Sequence, residues 1–295
     1  MTETVVHIAH RVEPRASGGR PTLTRPVGGL TRLLILFFFG GLVVIPLLLT
    51  ALGGFKTLGE LRTNLGLPHE WQWQNYWDIL SSWRYWQVLL NSLFISCTTV
   101  ILTLAVAAPA AFAFAHMRFF GERFLFNYLI LGLTFPFATA ILPLFITVRD
   151  LGLLDTHWGV ILPQVAFGQA LSILLLRNAF RQLPHELLES ALVDGCGYMR
   201  FFLWITLPLS RPILATVAVI TFVASWNNFL LPLVMLDSDS KYPWPLGLMS
   251  YQGQYMTSWQ LILAFVTLTV IPAVAMFVAA QRQIVAGLTS GAVKG

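Results

Sequence analysis

Apolar residues run along this chain in long blocks, without the three-to-four-residue spacing of an amphipathic helix or the alternation of a half-buried strand. The blocks fall at about 34–52, 88–115, 125–148, 159–176, 212–236 and 261–280. Crossing a hydrocarbon core of about 30 Å takes roughly 20 mostly apolar residues, and each block meets or approaches that length. A helix satisfies its backbone polar groups within itself, which lipid cannot do for it. The pattern therefore predicts an all-α integral membrane protein with six transmembrane helices. The first block begins at Leu34, too far into the chain and too long for a cleaved leader, so it reads as a retained span.

The segments between blocks differ in length and chemistry. Residues 1–26 are polar, with Pro14, Gly18, Gly19, Pro21 and Pro26 and no helical period, and disorder is expected there. Residues 27–295 then form one transmembrane domain. The connections 116–123 and 149–158 are short and force their neighbouring spans to run antiparallel. Segment 53–87 is rich in Trp and Tyr, including Trp71, Trp73, Tyr76, Trp77, Trp83, Tyr85 and Trp86, aromatics that commonly sit at the headgroup level. Two longer segments, 177–211 and 237–259, break the economy of the rest, and long loops tend to carry function.

Composition agrees with the pattern: 56% of the 295 residues are hydrophobic and 11% charged, against about 25% charged in an ordinary soluble domain. The charges fix an orientation. Of the 18 basic residues only Lys56, Arg62, Arg84, Arg149 and Lys241 fall in the segments that face outward when the N-terminus is inside. The positive-inside bias then places both termini in the cytoplasm and supports an even number of spans. The net charge of +5 follows from this topology, and with the bases flanking apolar spans no nucleic-acid surface is expected. Cys97 and Cys196 lie at different depths; they predict a small helix-packing residue and a free thiol, not a disulfide.

Segment 177–211 reads as two short helices around a glycine bend. Pro184 suits a first helical position and Glu186 the positive end of a helix dipole. Leu187, Leu188, Ala191 and Leu192 share one face. Asp194-Gly195-Cys196-Gly197 permits a sharp reversal, and Pro208 closes the second helix. On physical grounds alone such a helix can lie in headgroups or enter a groove on a partner protein.

Here a resemblance bears on the choice. Glu189-Ser190-Ala191, then Asp194-Gly195, then Ile205-Thr206-Leu207-Pro208 resembles the E-A-A signature of ABC-importer permease subunits, E-A-A, three residues, G, nine residues, I-x-L-P. It departs from that pattern at Ser190 and Cys196. The terminal stretch 281–295, with Gly287, Gly291 and Lys294, looks like the C-terminal tail of carbohydrate-type permeases, in particular the maltose-type six-span subunit. The resemblance implies the type I importer permease fold. It also implies that Glu189, Ser190, Ala191, Asp194, Gly195, Ile205, Leu207 and Pro208 form a coupling element seated on an ATPase, with the tail as a second contact. The implied partners are a second homologous permease, two ATP-binding subunits, an extracytoplasmic sugar-binding protein and membrane lipid. ATP and Mg are expected on the partner ATPases and no cofactor or metal on this chain. Gly53-Gly54-Phe55-Lys56-Thr57 lacks the phosphate-loop spacing.

No Asp, Glu, Lys or Arg stands in the middle of a block, which argues against an ion relay through the membrane. The polar residues within or near spans are uncharged: Asn91, Ser92, Thr134, Gln164, Gln169, Ser225, Asn227 and Asn228. Amides with a neighbouring ring suit a sugar, and equally suit hydrogen bonds between helices. Trp226-Asn227-Asn228-Phe229 resembles a stretch beside the pathway in carbohydrate permeases, so Asn91, Trp226, Asn227 and Asn228 are the expected pathway residues. Segment 237–259 resembles the external loop that meets a docked binding protein, with Tyr251, Gln252 and Gln254 as its expected contacts. The expected function is half of a translocation pathway for a sugar or oligosaccharide, with no covalent chemistry on this chain. The alternative is a stand-alone secondary transporter or channel for a small neutral solute. An intramembrane enzyme would need a catalytic constellation at one depth, and all six His residues fall in loops or at block edges.

Overall fold

A computed structural model describes residues 29–64, 66–252 and 257–289. The expectations for 1–26, Gln254, Gly291 and Lys294 lie outside them. The first helix, α1 (Gly29–Gly54), is followed by two short helices, α2 (Leu58–Thr63) and α3 (Trp73–Ser81). The chain then enters α4 (Trp83–His116), 34 residues long, and two helices α5 (Glu122–Leu131) and α6 (Phe137–Asp150). A long helix α7 (His157–Phe180) leads to α8 (His185–Val193), α9 (Tyr198–Phe201), a wide turn Phe202–Thr206 and α10 (Leu207–Leu209). After α11 (Arg211–Trp226) come α12 (Leu230–Met235), α13 (Trp244–Gly247) and α14 (Trp259–Thr289).

Four of these helices are long and apolar enough to cross a membrane. Two further apolar stretches qualify as bent pairs, which brings the total to six if each pair is one span. The block at 125–148 is one such pair. Its two halves, Glu122–Thr134 and Phe137–Asp150, meet at 105°, because Pro136 lacks the N–H that would continue the helix and disfavours helical geometry at Phe135. Phe135 is accordingly extended, at ψ 120°. The other bend, 77°, separates Tyr198–Leu209 from α11. The block at 212–236 also breaks, at Asn227–Phe229, so α11 and α12 are two pieces where the sequence pattern suggested one. Trp83, Tyr85 and Trp86 belong to the first turn of α4 and not to the preceding loop.

The chain divides after Pro46 into two units. From Leu33 up to that residue, α1 is apolar all round and its side chains are almost all exposed, Phe37 at 73%, the composition of a membrane span. From Leu47 onward the core is built on α4, which packs most extensively on α7, while α11 packs on α14 and α4. Ala107, Ala108 and Ala111 let backbones approach on α4. Ser92, Ser96, Thr99 and Thr103 form a buried polar stripe on the same helix. Cys97, expected to pack between helices, is exposed. The end of α1 is tied down by side chains that satisfy its last carbonyls: Tyr76 Oη donates to Ala51 O at 2.7 Å, and Asn75 Nδ2 to Gly54 O at 2.9 Å. A Cβ on Gly54 would stand 2.6 Å from Tyr76 Oη and 2.9 Å from Ala264 Cα, so only glycine lets α14 come this close.

Candidate functional site

Three places carry the residues singled out by the sequence. The first is the connection between α7 and α11. Leu188 and Ala191 of α8 are buried in a cluster with Phe112, Leu176, Phe180, Phe201 and Phe202, which seats α8 across the ends of α4 and α7. Leu187 and Leu192, expected on the same buried face, are exposed, as is Val193 at 87%. Glu189 points outward and pairs with His185 at 3.1 Å, while Ser190 Oγ donates to Glu186 O at 2.5 Å. Helix α8 begins at His185, with Pro184 as its cap rather than its first residue.

The stop of α8 has an identifiable geometry. Cys196 N donates to Ala191 O at 2.8 Å and Gly195 N to Leu192 O at 3.1 Å. These are the paired bonds of a Schellman cap, which requires a left-handed residue just past the helix. Gly195 supplies it at φ +76°, and Cys196 packs back on the cluster that holds Ala191. Beyond the bend, Leu207 N reaches Phe202 O, a wide turn, where Pro208 has no N–H to offer a normal helical bond. Ile205 and Leu207 pack against the same cluster. The helix runs one residue past Pro208, to Leu209. The whole element is braced from behind by Arg177, whose Nε donates to Phe114 O at 3.0 Å and whose guanidinium lies 3.8 Å from the centre of the Phe126 ring.

The second place is a cavity of about 340 Å³ between α4, α7, α11 and the bent arm α5–α6. Its depth is central, since Thr99 is the midpoint of α4. Gln164 ties three helices there: its Oε1 accepts from Ser225 Oγ at 2.6 Å and Thr99 Oγ1 at 3.3 Å. Asn228 stands at the break between α11 and α12, where its Oδ1 accepts from Leu231 N at 3.1 Å and caps α12 as a side-chain oxygen commonly does. Thr221 and Gly168 complete a polar band, and Leu133, Phe135, Phe137 and Phe167 form an apolar wall. None of the lining residues is charged. An uncharged polar band facing rings is chemistry for hydroxyls on one side and C–H faces on the other.

Of the four expected pathway residues only Asn228 lines this cavity. Asn91 Nδ2 instead donates to Ser240 O and Tyr242 O at 2.9 and 3.1 Å. Trp226 is buried against Phe222, 5.3 Å between ring centres, and Asn227 is exposed, donating to Val223 O at 2.9 Å. Gln164, Thr99 and Thr221 are the residues that sequence reasoning left out of the site. The third place is the strap 237–242. Asp155, at φ +54°, gathers it: its carboxylate accepts from Ser238 N at 2.9 Å, Ser238 Oγ at 2.5 Å and Lys241 Nζ at 2.7 Å. The Lys241 ammonium, then the Ser238 hydroxyl and amide, hold this carboxyl well below the usual carboxylate range.

A family model for the binding-protein-dependent transport system inner membrane component matches residues 104–289, from mid-α4 to the end of α14. The chain belongs to that family. It is therefore a multi-pass inner-membrane permease component. Among its relatives is the diacetylchitobiose uptake system permease protein of Streptomyces coelicolor, 32% identical over 87% of this chain and 86% of that one. The arabinooligosaccharides transport system permease protein of Halalkalibacterium halodurans is 35% identical over 88% of this chain and 94% of its own length. The trehalose transport system permease protein of Mycobacterium tuberculosis is 32% identical over 86% and 94%. The fold matches a chain from the crystal structure of a bacterial ABC transporter involved in the import of alginate, an acidic polysaccharide. That match has a TM-score of 0.76 at 21% identity and covers 87% of the permease component and 96% of that chain.

Three more residues expected to meet partner proteins lie among the described residues. Tyr251 packs against Phe265, 5.4 Å between ring centres, and Gln252 bridges to Thr257. Gly287 falls within α14, which stays helical to Thr289.

Proposed function

We propose that this chain is one permease subunit of an ATP-driven importer and forms half of the translocation pathway for a neutral sugar or oligosaccharide. It works with a second permease, two ATPase subunits that bind ATP and Mg, and an extracytoplasmic binding protein. Both termini are cytoplasmic, as the distribution of Lys and Arg favours. The named cargo of the relatives, diacetylchitobiose, arabinooligosaccharides and trehalose, supports a sugar, and the uncharged cavity supports a neutral one.

The observation that carries the reading is the seating of α8. Leu188 and Ala191 anchor it, the Gly195 cap fixes its end, and Glu189, Leu192 and Val193 face outward. A short helix held on one side and apolar at its exposed tip is shaped to sit in a partner's groove. Movement of that partner reaches α11 through the wide turn at Phe202–Thr206 and the bend before Arg211. Cross-linking tests this directly. Val193→Cys, on the outward tip, should link to the ATPase subunit in membranes, and the link should change yield when ATP is bound. A chain whose α8 cysteine links only to lipid-reactive probes, with no ATPase captured, contradicts the docking role.

A further inference from the structure

Lys56 lies two residues past the end of α1 and is only 3% exposed. Its ammonium donates to the Asn64 carbonyl at 2.8 Å, and no carboxylate pairs with it among the described residues. An ammonium has three donors, and burying one without an anion is costly. Lys56 lines a cavity of about 200 Å³ together with Thr50, Asn64 and Leu263. Thr50 also lines a second cavity of about 400 Å³. The other residues of that cavity are Leu47 on α1 and Val266, Thr267, Val270, Ile271, Val274 and Ala275 on α14, apolar apart from Thr267, whose hydroxyl bonds to Leu263 O.

The two cavities adjoin at Thr50, one with a cationic head and the other with an apolar lining. From Leu263, beside the head, to Ala275, at the far end, α14 advances about 18 Å at 1.5 Å per residue. One leaflet of hydrocarbon is about 15 Å thick, half of the roughly 30 Å core. The head stands just past Gly54, where the apolar stretch of α1 ends. We propose that Lys56 and the groove between α1 and α14 seat an anionic glycerophospholipid of the adjacent leaflet. Its phosphate meets Lys56 Nζ and one acyl chain lies along Val266 to Ala275. The charge sets the headgroup and the length sets the chain.

Native mass spectrometry of the full chain in detergent, titrated with phosphatidylglycerol or phosphatidylcholine, tests this. Phosphatidylglycerol should be retained preferentially, and Lys56→Met should weaken it by about tenfold, the scale of one charge-assisted hydrogen bond. Val270→Trp, which fills the groove and leaves Lys56 in place, should displace the lipid independently. Equal phosphatidylglycerol binding by the wild type and both variants overturns the proposal. Displacement of the lipid by inorganic phosphate at similar concentration also overturns it, because the groove would then contribute nothing.

Discussion

Gly195 and Asp155 both hold left-handed backbone, at φ +76° and +54°, and each makes a local prediction. No atom lies within 4 Å of a Cβ built on Gly195, so any side chain there has room and the whole cost is conformational. Gly195→Ala should destabilise the end of α8 by about 1–2 kcal/mol, while Gly195→Asn, which tolerates this conformation, should cost less. The difference is readable as amide exchange at Cys196 and as ATP-dependent uptake, which should fall in the same order. At Asp155 the folded carboxyl titrates below the unfolded one. Its stabilising contribution is therefore complete above the ordinary carboxylate range, neutral pH included, and is lost as pH falls through the depressed folded value. Asp155→Asn should speed tryptic cleavage at Lys241 at neutral pH, and the difference in melting temperature between wild type and variant should shrink on acidification below pH ~4. A pH-independent difference would mean that packing, not charge, holds the strap.

At the scale of elements, the junction of α4, α7 and α11 rests on one side chain. Gln164→Leu removes the acceptor shared by Thr99 and Ser225 and should cost about 0.6–1.7 kcal/mol, the range for hydrogen bonds between membrane helices. Gln164→Glu keeps an acceptor for both hydroxyls but places a charge at mid-depth, so uptake should fall further than stability suggests. Asn228→Leu should do more damage, because it uncaps α12 and strips the cavity of an amide at once. Uptake by Asn228→Leu indistinguishable from wild type would remove the cavity from the pathway. These assignments were only partly legible in the sequence. An amide inside an apolar block reads the same whether it joins helices or meets a ligand, and Gln164 binds helices here while lining the cavity. Helix breaks were equally ambiguous. Pro136 produces a 105° turn whereas Pro109 and Pro163 lie inside continuous helices, and only tertiary neighbours decide which proline is tolerated.

For the molecule as a whole, what the sequence did state follows from the solvent. Lipid leaves backbone groups no outside partner, so long apolar blocks become helices, and the bent pairs stay apolar even where their axes turn. The glycine bend of the loop was legible for a similar reason, since few residues other than glycine accept that backbone angle. Burial of Lys56 was not, because it depends on Asn64 folding back across the end of α1. Under the proposed function, the chain transmits force and does not generate it. Purified chain in liposomes, assayed for oligosaccharide uptake alone and then with the proposed ATPase, second permease and binding protein, decides the matter. Accumulation is expected only from the full assembly with ATP. Solute movement through the chain alone, unaffected by ATP, would contradict it.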